Sequence, residues 1–156
     1  MLKPLVTILL MLAIAGPAIG GETAPGNLVK YKTRGEYEMV RESLEFAITG
    51  QGLVISGTLH VQEMLDRTAP DLGIEESAYH AAESFEFCSA VISHLMIQAD
   101  PANLAVCPFT VSVYQLTGDQ EHVYVAYRVP TFDGDSAAVE KKALKLLDDI
   151  AREAVE

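Results

Sequence analysis

Apolar residues recur along this chain with two periods, and the switches between them mark out its elements. The clearest period-two stretch has Phe109, Val111 and Val113 alternating with Thr110, Ser112 and Tyr114. A turn at Thr117–Gln120, containing Gly118-Asp119, leads into His122–Arg128, where Val123, Val125 and Tyr127 resume the alternation. Two such runs around a short polar turn predict a β-hairpin. Leu28–Lys32, Leu53–Gly57 and Ser84–Cys88 read as shorter strands.

Helical spacing fills the intervals. Tyr37, Val40, Leu44 and Ala47 fall on one stripe, with Thr33 and Glu36 as a capping box ahead of them and Gly50 or Gly52 as the stop. Thr58 stands where it would cap a helix over Leu59–Arg67, with Val61, Met64 and Leu65 inward. Ala90–Gln98 is strongly apolar and helical; Asp100-Pro101 opens a further short turn that Cys107-Pro108 ends. After a turn and cap at Asp133–Asp135, a last helix aligns Val139 or Ala143 with Leu147, Ile150 and Ala154, flanked by Leu144 and Ala151. Thr68–Glu83 has no clean period. Its Pro70, Gly73 and acids predict a surface excursion with a short helix near Glu75–Ala82. The order is β-α-β-α-β-α-β-β-α, and the closing hairpin makes the class α+β: a mixed, mostly antiparallel sheet covered by helices.

The N-terminus departs from this pattern. Lys3 precedes an uncharged apolar run from Leu5 to Ala15, broken by Gly16-Pro17 and followed by the small-residue exit Ala18-Ile19-Gly20. A basic start, a short apolar centre and a small-x-small exit predict a signal peptide over residues 1–20. The run is shorter than the ~20 residues that span a bilayer. An uncleaved anchor is the competing reading, and the absence of a following Cys argues against a lipid anchor. The expected organisation is signal 1–20, linker 21–27 and a single domain 28–156, periplasmic or secreted, with no membrane span after cleavage. Cleavage removes Lys3, so the formal net charge moves from −11 to −12. Such an acidic surface disfavours nucleic acid and anionic membranes as partners. A solvated acidic surface is the plain reading of that charge; a basic partner or a cation is the sharper one.

Several segments together resemble the family known as domain of unknown function 302. They are Val29 onward, the helix at Glu36–Ile48, the turn across Leu53–His60, and Phe85-Glu86-Phe87 entering the helix that ends Leu95-Met96-Ile97-Gln98-Ala99-Asp100-Pro101. The closing hairpin with Tyr127 near its end belongs to the same likeness, which covers about Leu28 to Pro130. The resemblance implies a small α+β fold with a curved mixed sheet, often a homodimer, and it implies no activity. It also implies a histidine just after the second strand, here His60 in Thr58-Leu59-His60-Val61. Cys88-Ser89-Ala90 stands where members have a Gly-rich turn, and Cys107-Pro108 is not a general family feature, so this chain reads as an exported, cysteine-bearing branch.

Export changes how the cysteines read. Two cysteines in an exported chain pair as a rule, and Cys88 ends one predicted strand while Cys107 precedes the next. A disulfide there closes a loop of about 20 residues, a stabilisation of roughly 3 kcal/mol. A catalytic dithiol is disfavoured, since no C-x-x-C is present and no basic neighbour is evident to lower a thiol pKa. The alternative use of the same loop is a haem or transition-metal site built from Cys88, His94, His60 and Met96. Against it, His94 and Met96 are two residues apart, which on a helix sets them on opposite sides. A third reading gathers His60, the start of the Ala90 helix and Tyr114 or Tyr124 into a small-molecule pocket. For each histidine the plain reading is a hydrogen-bonded structural residue, and for Met96 it is core packing. His80 and His122 read as solvated. Ser89 lacks a G-x-S-x-G context, Asp133 and Asp135 lack the calcium-loop pattern, and no phosphate-cradling loop is present. With no complete catalytic constellation, the leading expectation is a non-enzymatic binding or interaction module. A haem or metal carrier and a His60-centred enzyme are the alternatives.

Overall fold

The computed structural model describes residues 22–24 and 26–156. The predicted signal segment lies outside the described residues. Within the predicted linker, Glu22–Ala24 form a short strand, β1. The remaining strands are β2 (Leu28–Arg34), β3 (Ile55–His60), β4 (Tyr79–Phe87), β5 (Phe109–Leu116) and β6 (Asp119–Arg128). The helices are α1 (Tyr37–Gly50), α2 (Val61–Thr68), α3 (Ala90–Ala99) and α4 (Ala137–Glu153), with 3-10 turns at Pro70–Leu72 and Pro101–Val106.

The sheet runs β1-β2-β6-β5-β4-β3. The α+β class holds, and every pairing among the described strands is antiparallel, where a mixed sheet was expected. The reason lies in the connections. The α1 crossover carries the chain from β2 to β3 at the far edge, so these like-directed strands are separated by β6, β5 and β4 and never pair.

Inward positions of the strands supply one continuous core. Tyr31, Val125, Val113 and Phe85 lie in one register row across β2, β6, β5 and β4 or immediately beside it, and all are buried. Val40, Leu44, Ala47 and Ile48 of α1 and Val139, Ala143, Leu147 and Ile150 of α4 close over that face, with Ile92 and Met96 of α3 alongside. Burying each such side chain stabilises by about 1.5–3 kcal/mol. These three helices therefore cover one face of the sheet, while α2 packs beside β4. No described helix is long and apolar enough to cross a membrane.

Five local expectations are corrected. Thr33 sits inside β2 opposite Val123, so it cannot cap α1, and Glu36 caps without a side-chain bond. Thr58 likewise lies in β3, which runs on to His60, and α2 begins at Val61. Val61, Met64 and Leu65 are not core: α2 buries no residue. In place of the helix expected near Glu75–Ala82, residues 75–78 are irregular and the first half of β4 begins at Tyr79, where the inward positions Ala81 and Glu83 carry no hydrophobic alternation. Ser136, not the preceding aspartates, caps α4; its hydroxyl donates to the Phe132 carbonyl at 2.8 Å, and Glu140 Oε1 accepts the Phe132 N–H at 2.7 Å.

Candidate functional site: a groove on the uncovered sheet face

Strand alternation places Leu28, Lys30, Lys32 and Arg34 of β2 and His122, Tyr124, Ala126 and Arg128 of β6 on the face away from α1 and α4. Thr110, Ser112 and Tyr114 of β5 and Ala82, Ser84 and Glu86 of β4 share it. Two register rows give this face its relief. Ala82, Tyr114, Tyr124 and Lys32 pair in sequence across β4, β5, β6 and β2, and Ser84, Ser112, Ala126 and Lys30 do the same one pleat along. Tall rings thus stand beside a low floor. A cavity of about 700 Å³ opens on this relief, with Tyr79 and Tyr114 on one wall, Leu28 and Arg128 on the other and Val61 of α2 at one end, and it continues past Pro108, Val129 and Thr131 as far as Leu147 of α4. On the floor, the Ser84 and Ser112 hydroxyls bond each other at 2.8 Å.

The aromatic wall is held by packing and by one carboxylate. The Tyr114 and Tyr124 rings stack with centroids 5.1 Å apart, and Tyr79 meets Tyr114 edge-on at 5.5 Å. Burial, with Tyr79 and Tyr124 adding to it, raises the Tyr114 pKa. Asp119 accepts from His122 Nδ1 at 2.7 Å, from the Tyr124 hydroxyl at 2.9 Å and from Lys32 Nζ at 3.2 Å. The His122 bond chiefly, then those of Tyr124 and Lys32, hold Asp119 well below the usual carboxylate range. Lys30 and Lys32 lie over the Tyr124 ring at 5.9 and 5.3 Å.

His60 belongs to a different place. It pairs in register with Glu83, whose inward position turns both toward the helix-covered side. Its Nδ1 lies 2.7 Å from Glu83 Oε1, and Glu83 Oε2 accepts from Arg41 Nε of α1 at 2.6 Å. Glu83 raises the Arg41 pKa by that bond, and Arg41 also sits over the Phe85 ring at 5.4 Å. Nearby, the Tyr37 hydroxyl is buried without a hydrogen-bond partner among the described residues, and burial raises its pKa. Arg41 and Glu83 have the chemistry to orient a histidine whose side chain is about half exposed (53 %).

The sequence-predicted residues thus separate into three groups. Cys88 and Cys107 form a disulfide, Cα atoms 6.3 Å apart, tying the end of β4 to the entry of β5. Tyr114 and Tyr124 come together on the uncovered face. His60 stands at the end of β3 remote from α3, because Ile55 and not His60 pairs with Phe87 beside the α3 start. The expected pocket uniting His60, α3 and these tyrosines is therefore not formed. The four side chains offered for haem or a metal do not converge either: Cys88 is bonded to Cys107, His94 is exposed on α3, Met96 is in the core, and His60 is at the opposite strand end. Among the described residues no three His, Cys, Asp or Glu side chains are grouped to hold a metal ion.

Sequence reasoning missed Glu83, Arg41, Tyr79 and Arg128. Glu83 and Tyr79 lie in the segment without a period; Arg128 was placed on a strand but not on a face. The signal that finds them is register: once β4 is extended to Tyr79, alternation assigns each residue its side.

The chain matches the model of the family described as domain of unknown function DUF302 over residues 29–155. Its fold is similar to the crystal structure of an uncharacterised conserved DUF302 protein from Bacillus stearothermophilus, at 16% identity and a TM-score of 0.67, covering 82% of this chain and 98% of that one. No curated protein matches the chain in sequence.

Proposed function

Because the chain belongs to the DUF302 family, a domain of unknown function, we propose a function from its own geometry: an exported, disulfide-stapled binding module whose seat is the groove on the uncovered sheet face. The observation that carries this reading is that groove, a cavity of about 700 Å³ walled by Tyr79 and Tyr114 and by Leu28 and Arg128. It falls within the size range of small-molecule sites, which combine apolar walls with a few placed polar groups. Binding rather than catalysis is favoured because, among the described residues that line the groove, no nucleophile stands beside a base: the His122–Asp119 pair lies outside its lining, and His60–Glu83 turns to the other side of the sheet. The Cys88–Cys107 bond is compatible with an oxidising compartment. The homodimer implied by the family resemblance belongs to the same proposal.

Native mass spectrometry of the protein isolated from its own cells tests this directly. The expected spectrum has an N-terminus at Gly21, an oxidised cysteine pair, a dimer mass, and a small non-covalent adduct that is absent from Tyr114→Ala. A chain beginning at Met1 with both thiols open to alkylation contradicts export. An adduct retained unchanged by Tyr114→Ala contradicts the groove.

A further inference from the structure

Resting on the binding reading above, we infer that the groove takes an anionic ligand with a flat, apolar body, an aromatic carboxylate being the simplest member of that class. Charge distribution is the first argument. The chain has only 11 Lys and Arg against 22 Asp and Glu, yet Lys30, Lys32, Arg34 and Arg128 all lie on the outward positions of two adjacent strands. Two of them are already neutralised: Lys32 by Asp119 at 3.2 Å and Arg34 by Glu121 at 3.9 Å. Arg128 and Lys30 make no ion pair among the described residues, and they are the two beside the groove. Arg128 lines it, and Lys30 is the register partner of Ala126 on its floor.

Carboxylates around the groove leave Arg128 uncompensated. Glu83 borders the groove, but its side chain turns to the other face, where its two oxygens are taken by Arg41 and His60. Asp119 is held by His122, Tyr124 and Lys32. Of the other acids nearby, Glu22 is the β1 register partner of Lys30 and Glu86 pairs in register with Thr110, so Arg128 is the groove cation that has no acid as a strand neighbour. An anion entering the groove therefore meets Arg128 first, with Lys30 one pleat along. The body of the ligand is read from the walls: Tyr79, Tyr114, Leu28 and Val61 offer ring edges and apolar surface around a low floor, which suits a planar group. A second copy of this chain is a poorer occupant. Mating the face with itself about a two-fold axis would set the same unpaired cations against one another.

The test uses 2-naphthoate and its uncharged isostere 2-naphthamide as probes, titrated into the oxidised protein and followed by amide NMR shifts. The expected result is that both move the Ser84, Ser112 and Ala126 amides, with naphthoate the tighter. Arg128→Gln and Lys30→Gln should each weaken naphthoate by roughly three- to fivefold, the scale of a solvent-accessible charge pair, and leave naphthamide unchanged. Added salt should narrow the gap between the probes. Equal affinity for the two, or indifference of naphthoate to both substitutions, overturns the anionic class and leaves the groove standing as a site. Silence of the groove amides with both probes overturns the site as well. So does a dimer in sedimentation that Arg128→Gln converts to monomer, since a second copy would then be the occupant.

Discussion

Both faces of the sheet carry a carboxylate that accepts from tyrosine, two hydroxyls on one face and one on the other, and the two faces use the device differently. On the covered face Tyr31 and Tyr127 donate to Asp148, which Arg152 also holds at 2.8 Å. On the uncovered face Tyr124 donates to Asp119, which His122 and Lys32 also hold. Tyr31 and Tyr127 are buried under α4, so their hydroxyls must be satisfied within the protein. The group around Asp119 includes His122 and Lys32, which reach water, and it sits next to a groove. The same chemistry anchors a helix on one side and erects a wall on the other.

The largest effects should fall on the covered face. Leu44 is fully buried, and Leu44→Ala should cost about 2–5 kcal/mol in a denaturant titration. Ser112→Ala on the groove floor, which removes one Ser–Ser bond, should cost about 1 kcal/mol or less. Similar losses for the two would erase the distinction between the faces.

Next comes the entry to α4. Gly134 has φ +77° and would place a Cβ against the Ala99 carbonyl, 2.9 Å from its carbon. Gly134→Ala should therefore destabilise by about 2–3 kcal/mol and loosen α4 from α3. The Asn103 amide, which bonds both the Met96 and Asp133 carbonyls, ties the same junction. A thermal midpoint equal to that of the unsubstituted chain would refute this packing.

Asp148→Ala strips the acceptor from two tyrosine hydroxyls and should cost about 2 kcal/mol. Asp119→Ala should cost less, because His122 and Lys32 turn to water. Burial works to raise the Asp148 pKa, but the bonds from Arg152, Tyr31 and Tyr127 together outweigh it and hold the group below the ordinary carboxylate value. The unfolded chain therefore takes up a proton at Asp148 first. That contribution to stability is complete above the ordinary pKa of about 3.9 and is lost as pH falls through the lower folded value. Acid titrations below about pH 4 should show a shallower loss for Asp148→Asn than for the unsubstituted chain. An identical acid limb would show that Asp148 is not held low.

The smallest effect is expected at Tyr37. Its buried hydroxyl has no partner among the described residues, so Tyr37→Phe should be neutral or slightly stabilising. A loss above about 1 kcal/mol would reveal a bond at that hydroxyl.

How much of this was legible in the sequence follows the covered face. The hairpin, α1, α3 and α4 announce themselves because core packing demands an apolar residue at every inward turn or alternate position, and Val111, Val125, Leu44 and Leu147 obey. The Cys88–Cys107 bond was legible from strand placement together with the expectation of export. The uncovered face imposes no such demand, so its groove is written in residues that carry no period: Ser84, Ser112 and Ala126 become a floor only when three strands are set in register. The first half of β4 was misread for the same reason, since Glu83 faces inward to meet Arg41 and not to fill a core. The His60 cluster was hidden with it, because its partner carboxylate sat on a strand the pattern does not show.

Amide shift mapping of the oxidised protein against a small-molecule extract of its own cells tests the central claim most directly. If the uncovered face is the working surface, the shifts will concentrate at Ala82, Ser84, Ser112, Tyr114 and Ala126, with His94 and the α1 amides unmoved. Shifts centred on His60, Glu83 and Arg41, with the groove silent, would contradict the account and move the site to the other side of the sheet.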